Sequence, residues 1–241
     1  MWLGATLTQA ETLQVLAYTR NHVANGKGFV HDNIAANVAM LKSLGKDNGF
    51  DVEVSDDPAV FTDATLKTYR VVVFANANNE AFATDEQREA FKRYIHNGGG
   101  FIGIHSASGS ERKWPWFWAL LGGTFKRHAA MQPFTVHVVD PQHPATAGLP
   151  ETLKWKDEFY YLGEQPKDLN VLLVGDLTGL KDKQKPPGAT WPLAWCHEFE
   201  SGRSFYTSLG HQKEHYSDPV FKQHILGGLL WVMGHGKKET K

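Results

Sequence analysis

The 241-residue chain has a single cysteine, Cys196, so no disulfide can form within it. It has no surplus of either charge: 25 Lys and Arg face 26 Asp and Glu, for a formal net charge of -1. Such a balance gives no electrostatic pull toward nucleic acid or an acidic membrane surface. The one basic run, Lys237-Lys238, sits in a short tail. No apolar run approaches the roughly 20 residues that cross a bilayer, so no membrane span is expected. Internal repeats and linker-like segments are also missing. The economical expectation is one domain over 1–241, with flexible ends at 1–12 and 236–241. Met1 to Ala10 reads as a frayed terminus. As the end of a secretion signal it lacks a positive start and has Thr8 where the cleavage pattern prefers alanine. The compartment stays open: cytoplasmic as the sequence stands, periplasmic if a signal has been trimmed. No compact metal signature such as H-E-x-x-H occurs.

What is present is a clear alternation of strand and helix signals. Leu13 to Tyr18 is a short apolar run of strand length. Asp32 or Asn33 can cap a helix with Ile34, Val38 and Leu41 on one face and Gly49 at its end. Phe50 to Val54 alternates like an outer strand, and Arg70 to Ala75 is the continuous apolar run of a strand covered on both faces. Thr84-Asp-Glu-Gln87 has the form of a capping box, and Gly98 supplies the left-handed stop of that helix. Phe101 to Ile104 is the next strand. This βαβαβ order predicts a doubly wound, mostly parallel α/β sheet with helices on both faces, of flavodoxin-like type. Ligands in such sheets bind beyond the carboxyl ends of the strands.

The second half is less regular. Trp114 to Leu121 reads as a short helix. Phe134–Val139, Asn170–Val174, Leu193–Phe199 and Arg203–Leu209 read as strands, Asp176–Pro192 as a surface loop. A final helix starts near Asp218 with Phe221, Ile225, Leu229 and Val232 inward.

Gly98-Gly-Gly-Phe-Ile-Gly-Ile-His-Ser-Ala-Ser108 is the most informative stretch. It reads as a helix stop, a buried strand and a sharp turn of the form G-x-nucleophile-x-small. The central position holds His105, with Ser106 beside it. Ser106 could act as a nucleophile only with a base in hydrogen-bond reach. Cys196 lies on a predicted strand, where a lone cysteine is usually a small buried hydrophobe.

Twelve histidines are present, and several fall after strand ends. His31 precedes the first helix, His105 sits in the turn, His128 lies in Phe125-Lys-Arg-His128, and His211 follows a late strand. Glu158 adds a carboxylate. Such a set could bind a divalent metal through neutral imidazoles, with His31, His105, His128 and His211 as candidate ligands. It could also share acid–base work, with His105, His128, Glu158 and His211 as candidate catalytic groups. His96 and His224 read as helix-surface residues, and His143 as a turn residue. His22, His137 and His235 have no placement that suggests function. Among the tryptophans Trp114, Trp116, Trp155 and Trp191 lie near the expected cleft, where flat rings suit sugar C–H faces.

These residues carry a resemblance. The matching stretches are Phe29-Val-His-Asp32, Tyr94 to Ala107, His128 with Gln132, Asp140 to Thr146, Asp157-Glu-Phe-Tyr160, Trp195-Cys-His-Glu198 and Leu209-Gly-His211. With the closing Gly-Gly-Leu-Leu-Trp231, they make the chain similar to the trehalose-utilisation (ThuA-like) family over Leu13 to Gly234. That family's fold resembles class I glutamine amidotransferases. The resemblance implies a site around His31, His105, His128, Glu158 and His211, with His31, Ser106, Gln132, Tyr160 and Trp114 as substrate-binding candidates. His105 stands where amidotransferases have cysteine, so glutaminase activity is not implied. The implied role is disaccharide catabolism beside a nicotinamide-dependent sugar dehydrogenase. The implied substrate is a glycoside or its 3-keto derivative, cleaved by acid–base chemistry with a divalent metal as candidate cofactor. A non-catalytic sugar-binding module on the same scaffold is the alternative, and a homo-oligomer stays open.

Overall fold

The computed structural model describes residues 12–23, 26, 28–184 and 188–234. Met1 to Ala10, His235 and the Lys237-Lys238 tail lie outside the described residues.

The strand and helix signals of the first half become β1 (Leu13–Tyr18), β2 (Asn21–His22), α1 (Ile34–Asn48), β3 (Phe50–Ser55), α2 (Asp63–Leu66), β4 (Val71–Ala75), β5 (Asn78–Asn79), α3 (Asp85–His96) and β6 (Gly100–Ile104). The capping box at the start of α3 is complete: Thr84 Oγ1 accepts from Gln87 N, and Gln87 Oε1 accepts from Thr84 N. Gly98 follows the helix in the left-handed conformation, with φ 91°. The second half forms α4 (Pro115–Leu121), β7 (Thr124–Val138), β8 (Thr152–Gly163), β9 (Asn170–Asp176), β10 (Thr190–Phe199), β11 (Gly202–Thr207) and α5 (Pro219–Val232).

Nine strands make one sheet in the order β3-β1-β4-β6-β11-β10-β9-β7-β8, and β2 pairs with β5 apart from it. The first five strands run parallel to their neighbours. The remaining pairings, β11 to β10 through β7 to β8, are antiparallel. The sheet therefore has a doubly wound half joined at β11 to a meander-like half.

Period-two alternation sorts the strand side chains onto two cores. Val15, Ala17, Val71, Val73, Ile102 and Ile104 face one side, with Leu41 and Leu44 of α1 and Phe221, Ile225, Leu229 and Val232 of α5. Leu16, Tyr18, Val72, Phe74 and Phe101 face the other, with Phe91 and Ile95 of α3 and Phe117 and Leu121 of α4. The second core is an aromatic cluster around Phe74. Its ring lies 5.3 to 6.0 Å from those of Tyr18, Phe91, Phe101 and Phe117.

Three expectations need correction. β8 was not anticipated, because Lys154, Lys156, Asp157 and Glu158 interrupt its apolar pattern. β7 begins ten residues before Phe134, at Thr124, so His128 lies inside a strand. His224 is 2% exposed; its Nδ1–H donates to Ala145 O at 2.8 Å, which puts it between α5 and the 140–149 turns.

Phe74 is fully buried among aromatic rings. Phe74→Ala is expected to cost about 3–5 kcal/mol, the range for a buried phenylalanine. Urea denaturation monitored by fluorescence and circular dichroism measures it.

Candidate functional site

The candidate side chains gather beyond the carboxyl ends of the parallel strands. Asn76 directly follows β4, His105 follows β6 and Ser208 follows β11, and His31 sits in the segment between β2 and α1. His105 takes φ 48°, a left-handed conformation that costs a residue with Cβ roughly 1–2 kcal/mol. Gly103 makes the turn sterically possible. A Cβ there would stand 3.0 Å from Tyr206 and 3.3 Å from Ala107. A 3-10 turn over His105–Gly109 follows, in place of a full helix.

His105 is fully buried. Its Nδ1–H donates to Ser208 O at 2.7 Å, which fixes the tautomer and leaves the Nε2 lone pair toward His31, His211 and Glu158. Nε2 lies 3.2 Å from His31 Nε2, 3.3 Å from His211 Nδ1 and 3.9 Å from Glu158 Oε2. His211 Nδ1 is 3.1 Å from Glu158 Oε2. One donor atom from each of His31, His105, Glu158 and His211 thus lies within 4.8 Å of the others. Tetrahedral ligands about 2.1 Å from zinc stand about 3.4 Å apart. Four of the six separations run from 3.1 to 3.9 Å, around that spacing, and all lie within 4.8 Å. Two neutral imidazoles, one imidazole beside a carboxylate, and burial make a donor set suited to a borderline divalent metal.

Electrostatics agree with that use. Burial, reinforced by the charge of His211, pulls His31 down to about 4. Burial, then the neighbouring His31, holds His105 well below the ordinary histidine range. Burial alone would raise Glu158, but the hydrogen bond and charge of His211 outweigh it and the carboxylate is lowered. The same hydrogen bond raises His211. At neutral pH, His31 and His105 therefore offer lone pairs with no proton to displace.

His128 stands at the edge of the group. Its side chain is 42% exposed, and its Nδ1 lies 3.4 Å from Glu158 Oε1. Two irregularities in the β7–β8 register, between Phe125 and Arg127 and between Ala129 and Gln132, each add a residue to β7. The first puts Phe125 and His128, three residues apart, on one face. Together with Phe29, His31, Ser106, Glu158 and Tyr160 they line a cavity of about 260 Å³. The Tyr160 ring lies 4.3 Å from that of His105.

Other candidates are placed elsewhere. Ser106 Oγ donates to Asn76 O at 3.0 Å, a backbone carbonyl and not a base. Gln132 bridges to the backbone of Ala130 and Lys181. Trp114 stacks on Trp116 and Phe117 at the start of α4 and does not line the cavity. Trp155 packs on His215, and Trp191 on Tyr161. The rings facing the cavity are therefore Phe29, Phe125 and Tyr160, and the expectation of a tryptophan wall is corrected. Burial pushes the Cys196 thiol up to about 12, so it is no activated nucleophile. His143 does sit in a turn, buried, and accepts from Ala145 N.

Residues that sequence reasoning missed hold the His211 loop in place. Asp157 is buried and accepts from Gly210 N at 2.9 Å, Glu158 N at 2.8 Å and Trp155 Nε1 at 3.2 Å. It joins the strand carrying Glu158 to the loop carrying His211. Burial pushes its carboxyl up to about 6, against the pull of those donors. Asn33 occupies the first cap position of α1 without capping it. Its Nδ2 donates instead to Gly210 O at 2.9 Å and His211 O at 2.6 Å, and its Oδ1 accepts from Asn76. Tyr216 adds a 2.6 Å bond to Gly210 O. Asp157 was visible only as the neighbour of Glu158; Asn33 read as a helix cap.

The depressed histidines make stability pH-dependent. The unfolded chain protonates His31, His215 and His224 near 6.5, whereas the folded chain resists until about 4. Between those values the unfolded state binds more protons, so stability falls on acidification. Denaturation midpoints measured from pH 7.5 to 4.5 should drop mainly below about 6.5, and His224→Gln should shallow the drop.

The solved structure of a ThuA-like protein from Bacteroides uniformis ATCC 8492 matches with TM-score 0.76 and 25% identity, over 97% of each chain. A ThuA-like protein from Parabacteroides merdae ATCC 43184 matches with TM-score 0.73 and 20% identity, over 95% of this chain and 93% of its own, a likeness of fold. No curated protein matches this chain. The family model described as trehalose utilisation matches residues 15–232. The chain belongs to the ThuA trehalose-utilisation family, and so to carbohydrate metabolism.

Proposed function

We propose that this protein is an enzyme of sugar catabolism that holds a divalent metal at His31, His105, His211 and Glu158 and cleaves a glycoside in its 3-keto form. The observation that supports it best is the convergence of four donors, two of which, His31 and Glu158, also line a cavity with aromatic walls. When bound, the metal supplies Lewis acidity toward a carbonyl oxygen.

The chain's own residues supply the rest. His128 lies outside the four donors, is partly exposed and faces the same cavity. It acts as the base that takes the proton from the carbon next to the keto group, a proton the carbonyl acidifies. Glu158 Oε1, 3.4 Å from the His128 ring, stabilises the imidazolium so formed. The C–O bond to the second unit then breaks, and the departing oxygen takes the proton back from His128. Elimination of this kind needs no pair of opposed carboxylates. Phe29, Phe125 and Tyr160, which line the cavity, cover the apolar C–H face of the ring.

Incubation of the zinc-loaded protein with 3-keto-trehalose, and with 3-keto-disaccharides whose second unit carries a phosphate or carboxylate, tests the reading, with products resolved by NMR. Release of the second sugar unit together with an unsaturated keto-sugar is expected. No turnover with any of zinc, manganese, cobalt or magnesium would overturn it in favour of a sugar-binding module. His128→Ala should lower kcat about 10²- to 10⁴-fold while leaving metal content intact. His31→Ala and His105→Ala should each weaken metal binding by more than about 100-fold, beyond the loss expected for an outer-shell partner. Competition with a chromogenic chelator measures that loss independently of activity.

A further inference from the structure

A second, larger cavity of about 490 Å³ adjoins the histidine cavity, and Arg112 lines both. Four cationic side chains, Arg20, Arg88, Arg112 and Lys113, line it against two carboxylates, Glu80 and Glu111. Arg88 is neutralised. It pairs with Glu111 and Asp85, each at 2.9 Å. Glu111 is consumed in the same contacts, since its carboxylate also accepts from Ala81 N and Phe82 N. Glu80 lies 3.6 Å from His22 and pairs with none of the cavity's cations, and among the described residues Arg20, Arg112 and Lys113 have no carboxylate within 4 Å, so three unpaired cations face one carboxylate around the cavity. On a chain of net charge -1 that concentration is local.

Arg112 is held in place. Its Nε–H donates to Gly109 O at 3.0 Å, and the guanidinium lies 5.4 Å from the Phe125 ring centroid. Gly109 has no room for a side chain: a Cβ would come within 2.3 Å of Asn78 Oδ1 and 3.0 Å of Arg112 Nη2. The backbone therefore lets the guanidinium lie close, and its two Nη groups keep donors that no carboxylate occupies. A planar fork with free donors is the geometry that reads a carboxylate or phosphate in two bonds.

We propose that this cavity is a subsite for the second unit of the substrate, and that it takes a sugar bearing an anionic group, phosphate or carboxylate, read by Arg112 with Arg20 and Lys113. The proposal rests on the sugar reading of the adjoining cavity, but binding here requires neither metal nor turnover. Arg112 and Lys113 are exposed, so their truncation leaves the fold intact.

The test is calorimetric titration of metal-stripped, dialysed protein with glucose, glucose 6-phosphate, glucuronate and inorganic phosphate. At least one of the two anionic sugars should bind more than 10-fold tighter than glucose and tighter than inorganic phosphate, with affinity falling as salt rises. Tight binding of glucose 6-phosphate alone assigns a phosphate, and of glucuronate alone a carboxylate; either supports the subsite. Arg112→Ala should weaken that binding at least 10-fold, and Lys113→Ala by less. His31→Ala, which removes the metal site, should leave it unchanged, and this separates failure here from failure of the keto-glycoside reading. Equal binding of glucose and both anionic sugars, inorganic phosphate binding as tightly as the sugars, or an indifferent Arg112→Ala would overturn the proposal.

Discussion

The hydrogen bond from His105 Nδ1–H to the carbonyl of Ser208, 2.7 Å long, decides what the rest of the site can do. An imidazole has one proton to place when neutral, and this bond places it on Nδ1. The lone pair on Nε2 then has to face His31, His211 and Glu158. The bond joins the end of β6 to the end of β11, two adjacent parallel strands. It also holds His105 in a left-handed conformation that the isolated residue would avoid. Tautomer, ring direction and backbone geometry are therefore set together.

The loop that supplies Ser208 and His211 is itself pinned from three sides. Asp157 takes the Gly210 N–H, Asn33 takes the Gly210 and His211 carbonyls, and Tyr216 adds a further bond to Gly210. These partners come from β8, the start of α1 and the turn before α5. Each bond is worth only about 1 kcal/mol net, but leaving such groups buried and unpaired costs more. The loop's position is thus a collective property of three elements distant in sequence.

The parallel half of the fold was legible because its strands are apolar runs and its helices carry explicit punctuation, Thr84 and Gln87 at one end and Gly98 at the other. The placement rule for such sheets then pointed to the strand ends, where His31, His105 and His211 do meet. The antiparallel half was less legible. β8 has Lys, Asp and Glu in its middle because it crosses the site, so its pattern follows chemistry and not core packing. Trp114 read as a cleft residue from its ring type, but ring type does not report direction, and it turned onto Trp116 and Phe117. His224 read as surface because histidine is polar, yet a single carbonyl partner suffices to bury it. Asn33 and Asp157 act through backbone groups far along the chain, and such partners leave no local signal.

The irregular register of β7 has a consequence for how this chain can tolerate length change. A regular strand assigns faces by odd and even count, and each added residue in β7 reverses that count. Phe125 and His128 share a face with Glu158 and Tyr160 only because the count is broken between them, and Phe134 reaches the opposite core only because it is broken again. Loss of one residue near Lys126 would turn Phe125 out of the cavity while His128 stayed. Loss of one near Ala130 would turn both outward while leaving every residue type unchanged. In this part of the chain, sequence identity between relatives carries less information than exact length, because the parity of the count decides which side chains the cavity receives.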